Sequence, residues 1–181
     1  LQPVALATIV PLALVIPAAA SHASVADMLK ASSSKALTFA SSGTGTPGHF
    51  AGELLKLRSN TNMTHVPYKG AGPGISDLVS GHIPAMTPNI TGQLLEFHKT
   101  GKVRIIAVFA PQRLNGAPDI PTAIELGYPN MVGQLFVGVF APSATPKPVI
   151  EQIAAANHKV MDDPGFQKVL IDSGLEPVSD T

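Results

Sequence analysis

Residues 37–55 read Leu37-Thr38-Phe39-Ala40-Ser41-Ser42-Gly43-Thr44-Gly45-Thr46-Pro47-Gly48-His49-Phe50-Ala51-Gly52-Glu53-Leu54-Leu55. An apolar β-favouring run, a stretch of hydroxyl and glycine residues, and apolar positions at 50, 51, 54 and 55 predict strand, tight loop and helix in that order. Pro47 suits the first helical position and Thr46 the cap before it. The amides of Gly48 and His49 then stand unpaired at the positive end of a helix, approached without side-chain bulk past Gly43 and Gly45. The stretch predicts an anion site.

Its composition narrows the anion. Gly43 and Gly48 have the spacing of a nucleotide-binding P-loop, but His49 and Phe50 follow where that loop needs Lys and Ser or Thr. Gly43, Gly45 and Gly48 also fit the glycines of a dinucleotide fingerprint, yet no acidic residue ends a second strand about 20 residues on. With no Lys or Arg in the loop, a carboxylate held by neutral donors is expected before a phosphate. The bland alternative is a glycine-rich connector that binds nothing.

The chain has 181 residues, enough for one domain or part of a larger one, and its 45% hydrophobic with 13% charged content predicts a folded chain. A formal net charge of zero gives no reason to expect nucleic acid or an anionic membrane as partner. Cysteine is absent, which excludes disulfides, thiolate catalysis and cysteine zinc sites.

The run from Leu1 to Ala20 imitates a secretory leader, ending in the small residues Ala18-Ala19-Ala20-Ser21-His22-Ala23, but no Lys or Arg precedes Lys30. Pro3, Pro11 and Pro17 cut it well short of the ~20 apolar residues a membrane helix needs. A buried strand is expected, bent or bulged at Pro11. Beyond it the predicted elements are a helix opened by Ser24-Val25-Ala26-Asp27, a strand at 63–68, a loop at 70–74 opening a helix through Val79, and a strand at 83–86. They continue with a helix at 91–98 closed by Gly101, a fully buried parallel strand at 103–110, a small helix at 121–126, a strand at 134–140, and helices at 148–161 and 164–173. The alternation means an α/β fold with a largely parallel sheet.

Catalytic constellations are thin. His49 and Glu53 stand four apart on one helix face, a metal-capable spacing without a third ligand. His65 and the other histidines read as ordinary polar positions, no Gly-x-Ser-x-Gly elbow occurs, and Ser41-Ser42 has no base at readable spacing. Tyr68 and Asn89, each after a predicted strand end on the loop's side, are candidate pocket residues. Binding is expected, with no metal, no cofactor and no catalytic group.

Several motifs together resemble one family. Ser41-Ser42-Gly43-Thr44-Gly45-Thr46-Pro47-Gly48-His49, Ala51-Gly52-Glu53, then His65-Val66-Pro67-Tyr68-Lys69-Gly70, Gly101-Lys102-Val103-Arg104, Arg113 with Pro118-Asp119-Ile120-Pro121-Thr122, and Phe140-Ala141-Pro142-Ser143-Ala144-Thr145-Pro146 are similar, in order, to the tripartite tricarboxylate transporter receptors. These extracytoplasmic solute-binding proteins are also called Bug receptors. The resemblance covers essentially the whole chain and implies a two-lobed periplasmic-binding-protein fold of type II, closing on di- or tricarboxylates or related acids that feed membrane transporter subunits.

On that resemblance, residues 1–19 correspond to a strand of the first lobe or crossover, 20–130 to the second lobe with the carboxylate loop, and 131–181 to the return crossover and C-terminal helices of the first lobe. Family members carry a leader, a first strand and helix, and a second binding loop ahead of a segment like Leu1 to Pro17. The resemblance therefore implies one complete lobe plus part of the other, with apolar surface open to self-association. It assigns ligand contacts to Ser41, Ser42, Gly43, Thr44, Gly45, Thr46, Gly48, His49, Tyr68 and Asn89. Many relatives have an acidic residue before Asn where Thr87-Pro88-Asn89 stands. The rival expectations are an α/β hydrolytic or transfer enzyme using His49 and Glu53, and a scaffold that binds nothing.

Overall fold

Two sheets divide the strands of this chain, and the first apolar run belongs to both. The computed structural model describes residues 1–22, 24–34 and 36–178. Ala23, last of the leader-like small residues, lies outside the described residues. In chain order the elements are β1 (Gln2–Pro11), β2 (Ala13–Pro17), α1 (Val25–Ser34), β3 (Leu37–Ser41), α2 (Pro47–Ser59), β4 (Met63–Pro67), α3 (Ala71–Val79), α4 (Gly92–Lys99), β5 (Val103–Val108), β6 (Gln134–Ala141), α5 (Lys147–Met161), α6 (Pro164–Asp172) and β7 (Glu176–Pro177).

The expected N-terminal strand is thus two strands. β1 lies between β6 and β7, antiparallel to both, while β2 joins a different sheet. The switch comes at Leu12, one residue beyond Pro11, and the bulges fall elsewhere in β1, between Pro3 and Ala5 and between Leu6 and Thr8. Leu12 is held on several sides. Its amide donates to the Gly133 carbonyl at 2.9 Å, its carbonyl accepts from Phe109 at 2.8 Å, and it forms a bridge to Asn89. Gly133 in turn donates to the Phe109 carbonyl at 2.8 Å, so the segments entering and leaving the central sheet are tied at one point. A side chain at Gly133 would start 2.9 Å from Leu12 Cδ1.

The central sheet runs β4, β3, a single bridging residue at Met86, β2, β5, and a bridge at Thr122. Residues alternate between its faces as a strand period of two requires. Leu12, Leu14 and Ile16 pack with Phe39, Ala107 and, from α1 and α2, Met28, Leu29, Ala51 and Leu55. Ala13 and Val15 pack with Ala40, Val108 and, from α3 and α4, Leu78, Leu94 and Leu95. Helices therefore cover both faces, which is why β2 is apolar at every position.

Three expectations are corrected. The sheet is mixed: β3 and β4 are parallel, but β5 is antiparallel to β2, because β2 enters from the other sheet and runs against the strands that follow helices. The strand expected at 83–86 reduces to Met86, which bridges Val15 on one side and Ala40 on the other. Pro84 and Pro88, without amide hydrogens, limit how far that ladder extends. Residues 121–126 form a turn and no helix. Glu125 accepts from the Thr122 amide at 2.7 Å, Thr122 Oγ1 accepts from the Glu125 amide at 3.1 Å, and Gly127 at φ 91° ends the turn.

Two glycines give a paired prediction. A Cβ at Gly52 would lie 2.0 Å from the ring of the fully buried Phe39, so Gly52→Ala should cost about 1–3 kcal/mol through overpacking. Gly72, in the first turn of α3, has nothing within 4 Å of such a Cβ, and Gly72→Ala should be neutral or stabilise by up to ~1 kcal/mol. Urea midpoints of the two variants check it; equal midpoints would contradict the packing described.

Candidate functional site

The carboxyl ends of β3 and β4 and the segment after Met86 meet around the loop between Ser41 and Pro47. Parallel pairing carries past the strands, with Tyr68 N donating to Ser41 O and Gly70 N to Ser42 O, both at 3.0 Å. The Thr87 hydroxyl donates to Gly48 O at 2.7 Å, and a Cβ on Gly48 would lie 2.2 Å from Thr87 O. Only glycine allows α2 to begin that close to the 86–89 segment.

The loop is shaped by bonds to itself. Gly43 O accepts from Ser41 Oγ at 3.0 Å, Thr46 Oγ1 at 2.7 Å and Thr46 N at 3.3 Å. Gly43 N donates back to Ser41 Oγ at 3.2 Å, and Gly45 N donates to His49 Nδ1 at 3.2 Å. Gly43 and Gly45 have φ values of 145° and 79°, which side chains of L-residues disfavour. Thr46 caps α2 as expected, its Oγ1 accepting from His49 N at 3.4 Å.

This pairing changes which groups face outward. The His49 amide, expected free, is spent on the cap, and Gly48 is buried beneath Thr87. Ser41 is wholly buried, and its hydroxyl also meets His65 Nε2 at 2.7 Å, so it builds the loop from beneath. Thr46 Oγ1 is likewise committed. The amides and hydroxyls of Ser42 and Thr44 have no partner among the described residues, Thr44 is exposed and Ser42 half-buried. These four donors are neutral and belong to nearly adjacent residues.

Tyr68 follows the strand beside the loop, and Asn89 bridges to Leu12 at the junction of the sheets. Tyr68 sits half-buried with its hydroxyl donated to Asp77 Oδ2 at 2.6 Å, the first cause of a raised phenol pKa, followed by burial and the Asp77 charge. Asn89 is half-buried, and its side-chain amide makes no hydrogen bond among the described residues. The His49 and Glu53 side chains do not pair. Glu53 binds Lys56 Nζ at 3.2 Å, whereas His49 stacks on His65 with ring centroids 4.0 Å apart. Among the described residues no three metal-ligating side chains converge.

His65 and Thr87 are the residues that sequence reasoning missed. Each acts on the loop from a distant point of the chain, and the motifs that contain them, His65-Val66-Pro67-Tyr68 and Thr87-Pro88-Asn89, do not reveal those contacts. Burial first, and the neighbouring His49 second, hold His65 below the ordinary histidine pKa, with Glu53 opposing. Beside the loop, an apolar groove of about 310 Å³ runs between the start of α2 and the chain entering β6, lined by Leu12, Pro47, Phe50, Leu54, Val132 and Gln134 among others.

A family model for the tripartite tricarboxylate transporter family receptor matches residues 1–181. A UPF0065 protein of Pseudomonas sp. is 36% identical over 177 residues, covering 96% of this chain and 52% of its own length. Protein BugT of Bordetella pertussis is 30% identical over 142 residues, 78% of this chain and 43% of its own. The chain therefore spans about half the length of these relatives. Among solved structures, MatC from Rhodopseudomonas palustris with bound malate superposes with a TM-score of 0.81 at 29% identity, over 97% of this chain and 60% of that one. An R. palustris protein with adipate gives 0.89 at 26% identity, over 99% and 60%.

Two outcomes test the loop's construction. Thr46→Ala removes the cap and one bond to Gly43 O, and should cost about 1 kcal/mol in a urea titration. His65 binds fewer protons folded than unfolded, so stability should be constant above the ordinary histidine pKa of about 6.5 and fall as pH drops from there through the lower folded value. A Thr46→Ala midpoint equal to wild type, or stability rising on acidification across that window, would contradict the bonding described.

Proposed function

The chain belongs to the tripartite tricarboxylate transporter receptor family, and on that premise we propose that it is the part of a solute-binding receptor that grips a small carboxylate at the loop from Ser42 to Thr46. The observation that carries this reading is the set of donors at Ser42 and Thr44 without a partner among the described residues, on a turn whose Gly43, Gly45 and Thr46 amides are bonded to Ser41, His49 and Gly43. A carboxylate oxygen accepts readily from neutral N–H and O–H groups, and charge makes such bonds stronger than neutral ones. The nearby positive end of α2 adds to the attraction. Tyr68 and Asn89 shape the remainder of the ligand's surroundings.

Residues 20–130 form the second lobe in this proposal. The sheet of β1, β6 and β7 with α5 and α6 belongs to the first, and the Leu12–Gly133 junction is the crossover between them. The receptor works outside the cytoplasm and delivers its ligand to membrane transporter subunits. Malate and adipate are the ligands named with the two R. palustris proteins, and acids of that kind are the first to test here. The receptor reading is preferred to the enzyme alternative because His49 and Glu53 do not pair with each other, Glu53 meeting Lys56 and His49 stacking on His65.

Affinity follows from the donor count. A few hydrogen bonds, each net ~0.5–1.5 kcal/mol and up to ~3 to a charged group, are set against an association cost of at least ~4 kcal/mol. This chain by itself should bind malate or adipate with Kd on the order of millimolar. Calorimetry with wild type and the Ser42→Ala/Thr44→Val double variant checks it: the variant should lose roughly tenfold per hydroxyl bond removed, at about 1.4 kcal/mol per tenfold. Equal affinity in both proteins would remove the loop from its assigned role, and micromolar binding by a monomer would show that the chain completes its own pocket and is no partial receptor. Self-association is proposed through β6, an edge strand with Phe136, Val137 and Phe140 exposed. Sedimentation should show a concentration-dependent dimer that Val137→Lys abolishes; a strict monomer at every concentration would contradict it.

A further inference from the structure

The stacked rings of His49 and His65 lie beneath the loop and reach both of its positive-φ glycines. His49 Nδ1 accepts the Gly45 amide at 3.2 Å, and His65 Nε2 meets Ser41 Oγ at 2.7 Å, which in turn contacts Gly43 N and O. The ring centroids are 4.0 Å apart at an interplanar angle of 25°. The titratable groups facing His65 are His49 and Glu53, both on α2, while β3 presents the uncharged Phe39 and Ser41. Glu53 itself is paired with Lys56.

Protonation at either ring has a defined consequence for the loop. An imidazole nitrogen that accepts a hydrogen bond has its lone pair free, so a proton on His49 Nδ1 ends its bond with Gly45 and leaves that amide unpaired. A proton on His65 keeps the Ser41 contact, with Nε2–H donating to Oγ, and directs the Ser41 hydrogen to Gly43 O. Two cationic rings stacked at this distance repel, so the pair takes one proton more readily than two.

Resting on the carboxylate reading of the loop, we propose that His49 and His65 are positioning residues that couple the loop to pH, so that carboxylate capture tightens on acidification. The proton places one positive charge beneath a loop that otherwise has none, and it releases the exposed Gly45 amide as a further donor beside those of Ser42 and Thr44. His49 is the ring whose proton displaces a loop amide, because its Nδ1 is the acceptor for Gly45 N.

The free protein is tested first, by following the Gly43 and Gly45 amides and the histidine ring signals by NMR from pH 8 to pH 5.5. The Gly45 amide should shift along a single sigmoid whose midpoint matches that of the His49 ring, and His49→Phe, which keeps a stacking partner for His65, should abolish that sigmoid. A Gly45 amide that stays still while the His49 ring titrates would overturn the coupling. Malate is then titrated calorimetrically between pH 8 and pH 6, where its carboxylates remain largely ionised. Wild-type affinity should rise severalfold and the His49→Phe profile should be flat. Binding that is detectable but independent of pH in wild type would overturn the proposal. Absence of malate and adipate binding at every pH would overturn the carboxylate reading, and the amide titration in the free protein would still decide the coupling.

Discussion

Leu12 is where the chain has to satisfy two sheets at once. A strand that leaves one sheet for another exposes backbone amides and carbonyls at the switch, and buried groups of that kind are costly unless paired. Here Leu12 is paired to Gly133 and Phe109, and bridged to Asn89, while Ile90 N donates to Pro11 O at 2.8 Å and Ala13 N to Pro88 O at 2.9 Å. The 86–90 segment is thereby fixed against the crossing strand. Thr87 then carries that position to Gly48, and Gly48 to the start of α2. The loop between Ser41 and Pro47 is consequently located by the Leu12 junction, even though it is distant from it in sequence.

The loop itself is a case of internal satisfaction leaving a small remainder. Gly43 O collects three donors, Ser41 and Thr46 spend their hydroxyls, and Gly45 uses His49. What remains open at Ser42 and Thr44 is polar, uncharged and preorganised, which lowers the cost of ordering donors around a ligand. Phosphate recognition in such a setting draws on Lys or Arg, and the loop contains neither.

The order strand, loop, helix was legible because it is local: β-favouring residues to Ser41, glycines with hydroxyls, then Thr46-Pro47 as cap and first turn. The α/β architecture and helix limits near Pro164 and Gly101 were legible for the same reason. What the sequence did not disclose depends on contacts between distant residues. Ser41 reads as a ligand donor until His65, 24 positions on, is seen to hold its hydroxyl. The His49 amide is a local oversight instead, since the cap expected at Thr46 takes the amide three residues on. β5 reads as parallel because full burial looks alike in either direction, and its antiparallel neighbour is set by β2 arriving from another sheet. Residues 121–126 have helical composition, but Gly127 and the bridge at Thr122 stop them after one turn.

The most direct measurement is a crystal structure of the chain grown with malate at a concentration well above the expected millimolar Kd. A carboxylate is expected within about 3 Å of the Ser42 and Thr44 amides or hydroxyls, with the Ser41–His65 and Thr46–Gly43 bonds intact. Malate ordered elsewhere, in the apolar groove at Pro47 and Phe50 for instance, with those four donors turned to solvent, would contradict it.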